Sequence, residues 1–225
     1  MWCIPPKQNA EFVARMEDVL EVYARPFDPK RPVICMDEKP FQLLADCYTP
    51  LYMSENNHTT KYDCEYERKG SCSIFMFTEP LGQWREAHAL PQRRAEDWAN
   101  QMKWLVDEQY NDAEKIVLVM DNLNTHTTAS FYKFFSPEEA FRLSQKLEIH
   151  YTPKHGSWLD IAEIELSAMT IQCLLKVRIP SVTKLNEILS EWNIARNSKQ
   201  KGVSWHFSTN DARTKLKHLY PDIKF

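Results

Sequence analysis

The chain has 225 residues, 43% of them hydrophobic and 26% charged, enough to bury one large core and ordinary for a soluble globular protein. No apolar run reaches membrane-spanning length, and Met1-Trp2-Cys3-Ile4-Pro5-Pro6-Lys7 lacks the apolar core of a signal peptide, so a cytoplasmic, non-membrane location is expected. The net charge of −3 hides an asymmetry: residues 176–225 carry ten Lys or Arg against four Asp or Glu, and residues 1–175 carry eighteen against twenty-seven, which points to a phosphate-facing tail beside a carboxylate-rich body.

In chain order, residues 10–24 read as a helix, with Phe12, Met16, Val19 and Leu20 or Tyr23 at helical spacing, closed by the Pro26 to Pro32 stretch. Val33-Ile34-Cys35-Met36 is an apolar, β-branched run typical of a strand covered on both faces, and it is expected to end at Asp37-Glu38-Lys39-Pro40. Asp46 to Thr60 is polar and reads as loop. Antiparallel strands follow at Tyr62 to Glu67, Ser73 to Thr78 and Trp84 to Leu90, with turns at Lys69-Gly70 and Leu81-Gly82-Gln83.

Ala95 to Tyr110 is an amphipathic helix with Trp98, Met102, Leu105 and Val106 on its apolar face. Ile116 to Met120 is a second fully apolar strand, and it too ends in an aspartate, Asp121. Ser136-Pro137-Glu138-Glu139 opens a helix with a capping serine, a first-turn proline and acids that suit the helix dipole. Leu147 to Tyr151 reads as a third buried strand, Pro153 to Trp158 as loop, and Asp160 to Lys176 as a long helix closed by Pro180. Helices at 183–196 and 209–219 complete an α/β pattern.

The four glycines (70, 82, 156 and 202) are too dispersed for a dinucleotide fingerprint or a phosphate loop, which excludes nucleotide-dependent oxidoreductases and ATPases. The six cysteines (3, 35, 47, 64, 72 and 173) form no Cys-x-x-Cys pair, so they read as buried free thiols and not as a zinc or redox motif.

Chemistry is expected from carboxylates. Asp37 and Asp121 each follow a strand apolar enough for the sheet centre, and in open α/β sheets ligands bind outside the carboxyl ends of the strands. If those strands are adjacent and parallel, both acids reach one cation, and hard oxygen donors favour Mg²⁺ or Mn²⁺ over zinc. The plain alternative is two turn or capping residues.

A third acid is sought on the long helix, projected at 100° per residue. Ile161, Ile164, Ala168, Ile171 and Leu175 form one apolar stripe, and Ala162, Leu166, Met169 and Cys173 a second. Between them lie two polar lines, Glu163 with Ser167 and Thr170, and Glu165 with Gln172 and Lys176. Glu165 reads as the solvated line and Glu163 as the one facing a cleft, although the projection alone also allows the reverse.

Three blocks now stand out: Cys35-Met36-Asp37-Glu38-Lys39-Pro40, then Val119-Met120-Asp121-Asn122-Leu123-Asn124-Thr125-His126, then Tyr151-Thr152-Pro153-Lys154-His155-Gly156-Ser157-Trp158-Leu159-Asp160-Ile161-Ala162-Glu163. In order and content they resemble the catalytic blocks of mariner-like transposases, in particular the bacterial insertion-sequence branch of that DDE superfamily. The resemblance implies a ribonuclease H-like fold, a mixed five-stranded sheet flanked by helices, with Asp37 on the first strand, Asp121 after the fourth and Glu163 on the helix after the fifth. It also selects Glu163 over Glu165, because the family's acid follows Trp-Leu-Asn-x-x. The family's usual Asn is Asp160 here, which either disturbs metal affinity or caps the helix. The 42-residue spacing from Asp121 to Glu163 is longer than in animal mariners, and the Phe131 to Phe141 region is expected to hold the insertion.

The implied activity is metal-dependent DNA cleavage and strand transfer during transposition of an insertion sequence. Two Mg²⁺ (or Mn²⁺) ions would be held by Asp37, Asp121 and Glu163, with DNA (transposon ends and target) as partner, TA target sites and a homodimeric complex. The implied organisation is an N-terminal helix and connector (1–30), a catalytic domain (31–180) and a basic helical extension packed on it (181–225), in a nucleoid-associated protein. Lys154, His155, Asn122 and His126 flank the acids as candidate DNA contacts, and Asn124-Thr125-His126 could equally cap a helix. Arg196, Lys199, Lys201, Arg213, Lys215 and Lys217, interleaved with Trp205, could track the DNA backbone. Family members carry helix-turn-helix modules before this domain, so a separate polypeptide or upstream reading frame is expected to supply them. The rival readings are a non-catalytic remnant that binds DNA or a partner transposase, and a nuclease that hydrolyses without joining.

Overall fold

The computed structural model describes residues 7–48, 64–122, 126–175, 177–199 and 201–222. Among these the order is α1 (Ala10–Tyr23), β1 (Val33–Asp46), β2 (Tyr66–Glu79), β3 (Trp84–Leu90), α2 (Ala95–Trp104), β4 (Ile116–Met120), α3 (Thr128–Phe134), α4 (Pro137–Lys146), β5 (Leu147–Tyr151), α5 (Ile161–Met169), α6 (Val182–Asn197) and α7 (Thr209–Lys215). The strands form one mixed sheet in the order β3-β2-β1-β4-β5. β1, β2 and β3 pair antiparallel, whereas β4 lies parallel to both β1 and β5.

Strand alternation divides the sheet into two buried faces. Cys35, Ile74, Met76, Val117 and Val119 point to one, covered by Phe12, Met16 and Val19 of α1, by α5 and by Leu185 and Leu189 of α6. Ile34, Met36, Phe75, Phe77, Ile116, Leu118 and Met120 point to the other, covered by Trp98 and Met102 of α2, Phe131 of α3 and Leu143 of α4. All five residues of β4 are buried, as a strand covered on both faces requires. The expected cap at Ser136 accepts from Glu139 N–H, and Asn9 and Ser181 cap in the same way, accepting from Phe12 N–H and Lys184 N–H.

Several boundaries differ from the sequence reading. β1 does not stop at Asp37; its parallel pairing with β4 ends at Met36↔Met120, but antiparallel pairing with β2 carries it to Asp46↔Tyr66. Pro40 lies beyond the last β1–β4 pair, where one side of β1 has no strand partner and a missing donor is tolerated. Lys69-Gly70 is not a turn. It lies within β2, where Lys69 and Gly70 oppose the single residue Leu43, a bulge that Gly70 accommodates at φ 100° while Gln42 Nε2 donates to its carbonyl. Much of the expected loop (49–60) and the start of the expected strand at Tyr62 lie outside the described residues.

β5 is an edge strand, half-buried except at Leu147, because only β4 flanks it. The long helices at Ala95 and Asp160 each end in a π-helical turn, Leu105–Gln109 and Thr170–Leu174, and Lys176 lies outside the described residues. The expected burial of the thiols holds for Cys35 and Cys72, Cys173 is half-buried, and Cys47 and Cys64 are exposed; Cys3 lies outside the described residues. Among the described residues no helix is long and apolar enough to cross a membrane.

Candidate active site

Met36 pairs with Met120 across the parallel β1–β4 ladder, so the next residues, Asp37 and Asp121, leave equivalent positions at one end of the sheet. By alternation Asp37 belongs to the face of Cys35, the face that α5 covers. Asp160 starts α5, its Oδ1 accepting from Ala162 N–H at 2.9 Å, and Glu163 sits in the first turn. Asp37 and Glu163 line one open cleft of about 380 Å³ with Glu38, Lys39, Thr170 and Ile171.

Burial pushes the Asp37 carboxyl up to about 7, and the negative charges of Asp121, Glu163 and Glu38 add to this, against a 2.7 Å hydrogen bond from Glu38 N–H to Asp37 Oδ1. Asp160 is raised well above the carboxylate range by burial and then by Asp37, with Asp121 and Glu163 adding to it. Its Oδ2 is buried without a hydrogen-bond partner among the described residues. Of the two roles open to Asp160, capping is therefore realised, by a carboxyl group whose surroundings favour the neutral form.

Beneath this cluster lies a layer that sequence reasoning missed. Glu38 alternates to the opposite face, where its side chain is 2% exposed and its Oε1 lies 2.9 Å from Nε2 of His126, off the line of a good hydrogen bond. Nδ1 of the same ring is 3.3 Å from Asp121 Oδ1. The imidazole is 1% exposed and stacks on Trp98 at a centroid distance of 5.6 Å, and Trp98 stacks in turn on Phe131. Burial lowers the His126 pKa, but Asp121 and Glu38 outweigh it and bring it to about 9. His126 thus lies between two carboxylates that favour its protonated form, and it is too buried for the DNA contact expected of it. The available signal was the parity of Glu38 with Ile34 and Met36.

The helix projection selected Glu163 for the wrong reason. Glu165, expected in solvent, is 0% exposed and forms a buried ion triad, 3.3 Å from Arg85 and 3.1 Å from Arg196. Glu163 is exposed at the cleft, and the stripe of Ile164, Ile171 and Leu175 is exposed rather than packed. An ion triad spanning β3, α5 and α6 is invisible to a periodicity argument, because Arg85 and Arg196 come from distant segments.

Lys154 and His155 are exposed on the loop after β5, at the sheet end where Asp121 emerges, and Asn122 is exposed beside Asp121. His155 has φ 64°, and Gly156 closes the turn so tightly that a Cβ would lie 2.5 Å from the Pro153 ring. The basic tail is only partly available. Arg196 is committed to Glu165, Arg213 makes two 2.9 Å bonds to Glu17, and Lys215 pairs with Asp211 at 3.0 Å. Trp205 packs on Tyr23. Lys199, Lys201 and Lys217 are exposed.

Among the described residues no three His, Cys, Asp or Glu side chains are drawn around one point closely enough to hold an ion. The donor chemistry nevertheless suits Mg²⁺ or Mn²⁺: carboxylate oxygens without thiolate, and an Asp37 raised first by burial and then by neighbouring negative charge, with no described cation paired to it.

Among solved structures, the chain is similar to the Mos1 mariner paired-end complex with Mn (16% identity, TM-score 0.56, covering 88% of this chain and 59% of that one). It is similar also to the Mos1 transposase paired-end complex with the left transposon end (15%, 0.57, 96% and 65%) and to a pre-cleavage Mos1 transpososome (14%, 0.56, 98% and 66%). These likenesses establish the ribonuclease H-like fold, and the chain spans about three fifths of the length of the first of them. No curated protein matches. The family model for DDE superfamily endonuclease matches residues 32–186, the stretch that holds the sheet and Asp37, Asp121, Asp160 and Glu163, and the chain belongs to that family.

Proposed function

We propose that this chain is the catalytic domain of a transposase, of the bacterial insertion-sequence branch, that cleaves DNA and joins the cut ends to a target. The observation that supports the reading is the equivalent placement of Asp37 and Asp121 just past the last β1–β4 pair, with Glu163 lining the same cleft as Asp37. Asp37, Asp121 and Glu163 are the residues that would hold divalent cations, two in the proposed complex. When bound, Mg²⁺ or Mn²⁺ acidifies the attacking water or 3′-hydroxyl and neutralises the leaving oxygen.

The protein's own contribution is to hold the donors. The Glu38–His126 layer fixes Asp121 from below, and its Nδ1 contact selects one rotamer of that acid. Asp160 fixes the start of α5 through Ala162 N–H, and the Arg85–Glu165–Arg196 triad holds the next turn against β3 and α6, so Glu163 is carried on a helix anchored at both sides. Lys154, His155 and Asn122 stand at the rim to meet DNA phosphates, with Lys199, Lys201 and Lys217 on the tail as secondary contacts. The proposed partners are transposon-end and target DNA and a second copy of the chain. The proposed location is the cytoplasm, at the nucleoid.

Strand transfer with pre-cut ends is the discriminating assay. Labelled ends with a free 3′-hydroxyl, incubated with chain, Mg²⁺ and plasmid, should become covalently joined, and Glu163→Gln should abolish joining. Hydrolysis of plasmid without any joined product would reject transposition in favour of a hydrolytic nuclease.

A further inference from the structure

Lys39 lies two residues beyond Asp37 on β1, so the pleat directs it to the same face, toward α5. Its Nζ is 2.7 Å from Thr170 Oγ1, and that hydroxyl donates its own proton to Leu166 O at 2.7 Å. The Thr170 oxygen is therefore an acceptor for the ammonium, held in place by the helix backbone. Thr170 opens the π-helical turn at the end of α5, and Lys39 thus spans the mouth of the cleft from strand to helix.

The cation is notable for what it does not touch. The cleft it lines carries the acids Asp37 and Glu163, yet Lys39 forms no ion pair with any carboxylate among the described residues. A lysine serving only to offset the acidic cluster would fold onto it, since contact with a carboxylate is worth more than a bond to a neutral hydroxyl. Here one of three N–H donors is used by Thr170, and the charge is left facing an open space of about 380 Å³. Phosphodiester DNA brought to a carboxylate cluster meets repulsion, and a fixed cation beside the acids offsets it.

We infer that Lys39 is a phosphate anchor within the cleft, its ammonium binding a non-bridging oxygen of the DNA backbone next to the carboxylate cluster while Thr170 holds it in position. This rests on the DNA-cleaving function proposed above, and the experiment separates the two. Affinity of a fluorescein-labelled duplex for the full chain is measured by anisotropy in EDTA, across about 50–200 mM KCl, for wild type, Lys39→Gln, Lys39→Arg and Thr170→Val. Lys39→Gln should bind several-fold more weakly, with a salt slope shallower by about 0.9, the loss of one phosphate contact. Lys39→Arg should restore the slope, which a merely structural role for Lys39 would not require. Thr170→Val should keep the wild-type slope, because the charge remains. Unfolding temperatures of the variants show that each is folded under these conditions. An unchanged slope and affinity in Lys39→Gln, with wild type binding and cutting DNA, overturns this inference alone. A wild-type chain that binds no DNA at any salt overturns the function on which it rests as well.

Discussion

Replacing Asp37 by Asn should make the metal-free protein more stable at neutral pH, although it removes the residue argued to matter most. An acid raised from 3.8 to about 7 in the folded state holds its proton more tightly there than in the unfolded chain. Below the unfolded value both states are protonated and the group is neutral in its effect. As pH rises the unfolded chain ionises first, so stability falls until the folded carboxyl also ionises near 7, and above that the loss is complete. At about 1.4 kcal/mol per unit the ceiling on this loss is on the order of 4 kcal/mol. Asn keeps the carbonyl oxygen that accepts from Glu38 N–H but still buries an amide, which leaves a gain of about 1–3 kcal/mol, or about 2–10 °C in a chain of this size.

Thermal unfolding by circular dichroism in EDTA, at about pH 4 and about pH 8, reads this directly. Asp37→Asn should melt close to wild type at the lower pH and above it at the higher. Saturating Mg²⁺ should then reverse the order, raising wild type by about 2.7 kcal/mol at a hundredfold excess over Kd and the variant by less. A variant that melts at or below wild type at about pH 8 in EDTA would refute the claim that burial, with the neighbouring negative charges, opposes ionisation of Asp37.

Three further outcomes follow from packing and charge. Glu165→Ala leaves Arg85 buried without its carboxylate, and should cost about 3–5 kcal/mol in urea unfolding; a loss under about 1 kcal/mol would mean the triad is not the lock on α5 described here. His126→Ala strands Glu38 and removes the Trp98 stack, and should destabilise by about 2–4 kcal/mol at neutral pH, with Glu38→Gln recovering part of that in a double-mutant cycle. Because the His126 pKa is raised to about 9, the stability it confers is complete below the ordinary histidine value and is lost as pH rises through about 9, so strictly additive losses, or a penalty that grows in alkali, would contradict the pairing. Glu148, despite the opposing effect of its partial burial, is held down to about 2 by Arg25, His150 and Arg31. The penalty of Glu148→Gln should accordingly be full above the ordinary carboxylate value and fade as pH falls toward about 2, and a pH-independent difference in melting temperature would exclude that account.

What was legible in the sequence follows from how local the signals are. Ile116 to Met120 is a continuous apolar run and Ala95 to Tyr110 is strongly periodic, and strand and helix both formed there because pattern and burial agree. Ser136-Pro137-Glu138-Glu139 gave its helix start through capping chemistry that needs no tertiary information. The length of β1 was hidden because its second half is held by β2, an antiparallel partner whose register a local reading does not supply. Gly70 reads as a turn residue, and only the bulge against Leu43 explains its presence inside a strand.

At the candidate site, Asp37, Asp121 and Glu163 were reachable from strand ends and block resemblance, whereas the layer beneath them was not. Glu38 and Lys39 follow Asp37 directly in sequence, yet alternation sends them to opposite faces, one into a buried pair with His126 and the other into the cleft. His126 and Arg196 carried charge suited to DNA, and folding spent both on buried carboxylates.

The most direct test of the central claim is nicking of supercoiled plasmid by the purified chain with Mg²⁺, with Mn²⁺ and with EDTA, beside Asp121→Asn. The account predicts cutting by wild type with either cation, none in EDTA, and none by Asp121→Asn even though that variant still binds DNA. Metal-dependent nicking by Asp121→Asn at the wild-type rate would contradict it.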